Sequence, residues 1–276
     1  MLKEMIERLK RRMPDEEESP VSPREEDLFR GDKERIGWVT PSYLRSRPVQ
    51  LDLELIAKNR CVGFFSNRQG VEPYRVLRTQ IFQRTLDKGS NTLMVTSPLS
   101  EEGKSLTAIN LSFVIAKEFK QTVLLVDCDL RQQSIHKILG IPSEKGLADY
   151  MLDNYPLEKI IIWPGVEKMT LISGGRTIWR SSELLGAPRM KELVAEMKTR
   201  YPDRYVIFDL PPVLSVADAL AFAPLVDSVV MVVQAGKTPL PDVKKALGAL
   251  PQEKILGIVL NRHNVSPETS YYYPKK

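Results

Sequence analysis

The chain has 276 residues, 42% of them hydrophobic, with 40 basic against 35 acidic side chains and a net charge of +5. That is material for one sizeable α/β core plus a polar extension, not for two full domains. The near balance of charge gives no basic field and argues little for nucleic acid, which is not expected as a partner, and two cysteines, Cys61 and Cys128, are too few for a disulfide framework.

Residues 1–13 place Leu2, Met5, Ile6, Leu9 and Met13 at helical spacing, which predicts a short amphipathic helix. The stretch PDEEESPVSPREEDLFRGDK that follows is charged, proline-punctuated and poor in apolar residues, so it cannot bury enough surface to fold by itself. Residues 1–35 are therefore expected to be a helix and a disordered linker. Residues 36–70 form an extension without a clear pattern, in which LDLELIA fits either a short helix or a strand. With no cleavage site and no run of about 18 apolar residues, the expectation is a soluble, unexported protein of a reducing compartment.

From residue 72 the pattern becomes regular. A helical stretch over 72–86 precedes the apolar run TLMVTS, a loop, and a helix that begins near Lys104. Further strands are predicted at TVLLVDC, KMTLISG, RYVIFDL, DSVVMVVQA and KILGIVLN, with helical patterns such as APRMKELVAEMKTR between them. Short runs buried on both faces and separated by helices predict a doubly wound, mostly parallel α/β sheet over residues 71–265. In such sheets ligands bind at the carboxyl ends of the strands.

Chemistry is concentrated there. After the first strand stands Ser97-Pro98-Leu99-Ser100-Glu101-Glu102-Gly103-Lys104-Ser105, then a helix. At such a junction phosphates meet backbone N–H groups and the positive end of the helix dipole; Lys104 supplies a point charge and Ser105 a hydroxyl for Mg²⁺. VLLVDCDLR ends the second strand with Asp127 and Asp129 two residues apart, on one side of an extended chain, and YVIFDLPP ends a third with Asp209. Three acids at strand ends beside a phosphate loop read as a Mg²⁺ cradle. Arg131 fits either a phosphate or a neighbouring acid. His136 and His263, the only histidines, are too far apart in sequence to argue for a zinc site or a catalytic triad.

With the loop, VLLVDCDLR and IFDLPPVLSVADAL in hand, the sequence resembles the bacterial tyrosine kinases of capsule and exopolysaccharide biosynthesis, from about residue 72 onward. The resemblance implies a P-loop NTPase fold related to MinD and ParA and a protein-tyrosine autokinase that uses ATP and Mg²⁺. It implies that the loop residues Ser100, Glu101, Glu102, Gly103, Lys104, Ser105 and Leu106, with Arg131 and Asn261, hold ATP. Ser105, Asp127, Asp129 and Asp209 would hold the metal, and Asp127 is also the candidate acceptor of the tyrosine proton. Glu72, Arg75 and Arg78 match the family's E-x-x-R-x-x-R element, used to pack subunits into a ring; their spacing otherwise describes a solvated helix face. Tyr271, Tyr272 and Tyr273, in the tail of residues 266–276, correspond to its autophosphorylation sites. The family's activator is a membrane-embedded polysaccharide co-polymerase; with no membrane span in this chain, a separate partner is implied, recruiting a cytoplasmic enzyme to the inner face of the membrane. Ser181-Ser182-Glu183-Leu184-Leu185 also resembles a family segment, without an inferred chemical role.

Two departures stand out. Ser100-Glu101 replaces the family's Pro-Gly, which removes a residue free to adopt φ > 0 and adds a negative side chain near the phosphates. Position 99 is Leu where partition ATPases carry a further lysine in K-G-G-x-x-K-S/T, which argues against that group. The competing readings are an ATPase switch with passive tyrosines and a regulatory scaffold subunit of the export machinery.

Overall fold

The computed structural model describes residues 46–66, 68, 70–201 and 203–263; the helix and linker expected at 1–35 and the three tail tyrosines lie outside the described residues. In chain order the elements are β1 (Arg47–Pro48), α1 (Leu53–Lys58), α2 (Glu72–Thr85), β2 (Thr92–Thr96), α3 (Lys104–Ala116), β3 (Thr122–Asp127), α4 (Ile135–Leu139), α5 (Leu147–Asp153) and α6 (Leu157–Ile160). They continue with β4 (Ile161–Trp163), β5 (Met169–Ile172), α7 (Ser181–Leu185), α8 (Pro188–Thr199), β6 (Arg204–Asp209), α9 (Asp218–Phe222), β7 (Ser228–Gln234), α10 (Leu240–Gly248) and β8 (Ile255–Asn261). No described helix is long and apolar enough to cross a membrane.

The strands form one sheet in the order β1-β4-β5-β3-β6-β2-β7-β8. The pairs from β5 through β3, β6, β2 and β7 to β8 are all parallel, and β4 alone runs antiparallel to its neighbour β5. This is the predicted doubly wound sheet, with every predicted strand in place. Side chains alternate between two cores, as a sheet covered on both faces requires. Leu124 and Val126 of β3 join Val206 and Phe208 of β6 on one face, and Val123 and Leu125 join Tyr205 and Ile207 on the other. Helix α8 buries Met190, Leu193, Val194 and Met197, an i, i+3, i+4, i+7 stripe, against the first face.

Helix α3 lies on the second face, and all of its residues except Leu106 are buried. Part of that cover comes from the segment whose sequence shows no clear pattern. Asp52 caps α1 by accepting from the N–H groups of Glu54 and Leu55 at 2.9 and 3.2 Å, so LDLELIA is helical rather than extended. Ile56 and Cys61 are buried with α3, and the Gly63 N–H donates to Asn110 Oδ1 at 2.7 Å. Strands β1 and β4, too short to stand out in the sequence, complete the sheet edge.

Candidate functional site

Strand order decides what meets at the carboxyl edge. Strand β6 lies between β3 and β2, and its register sets Asp209 opposite Asp127 on one side and Val95 on the other. The loop after β2 is thereby enclosed by the one after β6: Val213 N–H donates to Ser97 O at 2.9 Å, Leu214 N–H to Pro98 O at 3.2 Å, and the Thr96 hydroxyl to Pro211 O at 2.8 Å.

Within the loop, Ser97 Oγ donates to Leu99 O at 2.6 Å, and Glu102 turns inward. Its carboxylate accepts from Leu99 N–H at 2.7 Å, from Gln234 N–H at 3.4 Å and from the Thr238 hydroxyl, which ties the loop to the turn after β7. The Glu102 carbonyl accepts from Asn261 Nδ2 at 2.7 Å. A Cβ on Gly103 would stand 2.2 Å from that same Nδ2, and Gly103 has φ +92°, so both backbone angle and space demand glycine. Glu101 also adopts a left-handed conformation, φ +64°, at the position where the resembling family carries glycine. A residue with a Cβ therefore holds the left-handed turn here.

Lys104, the first residue of α3, is the hub. Its Nζ lies 2.8 Å from Asp129 Oδ2, 3.5 Å from Asp209 Oδ1 and 3.3 Å from Ser105 Oγ, with all four residues buried. Burial works against the ammonium, but Asp209 and Asp129 outweigh it and hold the lysine above its usual pKa. For the acids the balance reverses. Burial, reinforced by the charge of Asp209, raises Asp127 to about 8, and burial raises Asp209 despite the nearby lysine. Asp127 accepts from Asp129 N–H and Ile135 N–H, both at 3.2 Å, which shapes the turn after β3. Asp129 Oδ1 accepts from Gln132 N–H at 3.0 Å.

Three carboxylates here face one ammonium, and Asp209 Oδ2 is buried with no hydrogen-bond partner. Clustered acids whose ionised forms burial disfavours, one of them with an unpartnered oxygen, fit a divalent cation, whose charge would offset that cost. Among the described residues no three acids form a closed metal cage. That also suits Mg²⁺, which takes one or two carboxylates and completes its shell with phosphate and water oxygens.

The remaining sequence-predicted residues are placed as follows. Leu106 is half-buried in the first turn of α3, and Ser100 is exposed at the tip of the loop. Arg131 takes the acid alternative: its Nη2 lies 3.6 Å from Asp218 Oδ1, and its Nε donates to Ser181 Oγ at 2.9 Å. The Ser181 hydroxyl donates in turn to Asp218. Glu72 and Arg75 pair at 3.2 Å on the exposed side of α2, whereas Arg78 is drawn inward to Glu118 at 2.6 Å and Val114 O at 3.0 Å. The contacts of buried Asp218 and Ser181 and of the Gln234–Thr238 turn escape sequence reasoning, because their partners lie 37 to 136 residues away along the chain.

The AAA domain family profile matches residues 101–250. Tyrosine-protein kinase YwqD of Bacillus subtilis is 35% identical over 204 residues, 73% of this chain and 85% of that protein. The putative tyrosine-protein kinase CapB of Staphylococcus aureus is 30% identical over 204 residues, 73% of this chain and 88% of its own. Among solved structures, the kinase domain of the Escherichia coli tyrosine kinase ETK superposes with a TM-score of 0.68 at 26% identity, covering 86% of this chain and 95% of that domain.

Proposed function

The chain belongs to the bacterial tyrosine-protein kinases, and from that premise we propose how its own residues carry out the ATP-dependent phosphorylation of tyrosines that regulates capsule and exopolysaccharide synthesis. The observation that carries the proposal is Lys104, held between Asp129 and Asp209 beside the Ser105 hydroxyl at the start of α3. A buried lysine whose charged partners are both acids, at a helix N-terminus, is poised to exchange carboxylate for phosphate oxygens.

In this reading the backbone of residues 100–106 cradles the phosphates of ATP, and Asn261, fixed to the Glu102 carbonyl, borders the nucleotide. Ser105, Asp209 and Asp129 would hold Mg²⁺, which would supply charge neutralisation for the transferring phosphoryl group. Asp127, buried at the end of β3 opposite Asp209, takes the tyrosine proton in its ionised form. Its two bonds from backbone N–H groups orient it for that task. The acceptors are Tyr271, Tyr272 and Tyr273. Glu72 and Arg75 face outward and fit the subunit packing of a ring, while Arg78 braces α2 to Glu118. A separate membrane-embedded co-polymerase is the activating partner that recruits the enzyme to the membrane.

Intact and tryptic mass spectrometry after incubation with MgATP tests this, comparing wild type with Lys104→Met and with all three tail tyrosines changed to Phe. Phosphate is expected on Tyr271, Tyr272 or Tyr273 in wild type and in neither variant. Phosphate on other residues alone, or none even with the partner's cytosolic segment present, refutes the assignment.

A further inference from the structure

Strand β3 ends in Asp127, and the turn after it carries Asp129 and is fixed from outside the phosphate site. Leu130 O accepts from Ile178 N–H at 2.9 Å, and Gln133 Nε2 donates to the carbonyls of Gly175 and Arg176 at 2.9 and 3.2 Å, so residues 130–133 are tied to the loop after β5. That loop is held by these ties and by Ile178, which packs on the core, while its Trp179 is 75% exposed. Arg131 reaches further. Its Nε donates to Ser181 Oγ at 2.9 Å, the Ser181 hydroxyl donates to Asp218 Oδ2, and Asp218 Oδ1 lies 3.6 Å from Arg131 Nη2.

Asp218 does not suit stability alone. It is fully buried, its Oδ1 has no hydrogen-bond partner, and its ion pair with Arg131 is too long to be a hydrogen bond. A carboxylate buried on such terms costs stability that an apolar side chain of similar size would not. Its place in the fold supplies the reason. The segment that starts at Asp209 encloses the phosphate loop, with Val213 N–H on Ser97 O and Leu214 N–H on Pro98 O, and then reaches Asp218. Asp218 faces Arg131, Asp129 two residues earlier holds Lys104, and Lys104 directly follows the phosphate loop. The ties thus close a circuit around the site, which Asp218 completes through Ser181 and Arg131.

We infer that Asp218 is a positioning residue for phosphoryl transfer: acting through Ser181 and Arg131, it fixes the turn that aims the Asp129 carboxylate at Lys104 and at the metal position. The inference rests on the kinase reading above. Asp129 Oδ1 accepts from Gln132 N–H at 3.0 Å and its Oδ2 from Lys104 at 2.8 Å, so a shift of the turn at Arg131 disturbs both contacts of that carboxylate. In phosphoryl transfer the protein contributes chiefly position and charge, and a displacement of about 1 Å costs about 100-fold in rate.

Asp218→Asn keeps the shape and the acceptor for Ser181 but removes the charge that faces Arg131. Ser181→Ala cuts the link between them and takes its place if the first variant does not fold. In the full-length protein, phosphorylation of the tail tyrosines by either variant should fall about 30-fold in kcat with the KM for ATP within about threefold, and the Mg²⁺ concentration for half-maximal ADP binding should rise about tenfold. In nucleotide-free protein, amide exchange over residues 128–135 should accelerate about tenfold relative to that of β3. Variants that only lower Tm, with kcat, Mg²⁺ requirement and exchange at 128–135 unchanged, overturn the inference. Arg131→Ala combined with Asp218→Asn should be no slower than the slower single variant, and additive losses overturn Arg131 as the route. If wild type itself transfers no phosphate, the kinase reading fails instead, and the Mg²⁺ titration of ADP binding and the amide exchange then decide the positioning role.

Discussion

Glu101→Gly should stabilise the protein and tighten nucleotide binding. Glu101 is exposed and holds φ +64°, so its side chain gains no packing while its backbone sits where an L-residue is disfavoured by about 1–2 kcal/mol. Glycine removes that penalty but loses more conformational entropy on folding, which offsets part of it. The net gain is about 0.5–1 kcal/mol, or roughly 2 °C in Tm for a domain of this size. The carboxylate also repels phosphate: across ~10 Å of water-like dielectric each net charge is disfavoured by about 0.4 kcal/mol, and MgADP carries about one, so removing the carboxylate tightens MgADP about twofold at low salt. Glu101→Gln separates the two effects, because it removes the charge and keeps the strained backbone. Melting curves and MgADP titrations on wild type, Gln and Gly should show Gln sharing the affinity gain but not the gain in Tm. A Tm for Gly no higher than for Gln would refute the argument from backbone strain.

The folded protein binds the Asp127 proton more tightly than the unfolded chain does, with a pKa of about 8 against the ordinary 3.8. Stability from this group is therefore fully present below about pH 4 and is lost as pH rises toward about 8. In nucleotide-free protein Asp127→Asn should flatten that decline, and melts from pH 4 to 9 that run parallel in the two proteins would contradict it. Glu102→Ala removes the acceptor for Leu99 N–H, Gln234 N–H and the Thr238 hydroxyl. It should lower stability by about 2–3 kcal/mol and weaken MgADP binding, with Glu102→Gln intermediate; an unshifted melt would show that the buried carboxylate does not hold the loop.

The candidate site was legible in the sequence because its groups are close together along the chain. Lys104 and Ser105 are adjacent, Asp127 and Asp129 are two apart, and each group ends a strand whose apolar run is unmistakable. The same holds for the sheet, since strands buried on both faces need continuous apolar runs and helices between them. Strands β1 and β4, two and three residues long, left no such trace, and α1 was ambiguous until the Asp52 cap was seen.

Sequence alone determined the fold class, the phosphate loop and the acids that belong with it, because period, residue type and short spacing carry that information. Tertiary structure decided how those groups are placed. Only the strand order brings Asp209 opposite Asp127 and leaves one of its oxygens unpartnered, and only the packing turns Glu102 inward, Arg78 toward Glu118 and Trp179 outward. A side chain's direction and partners are set by residues far away in the chain, and the free energy of burying a charge depends on what is buried beside it.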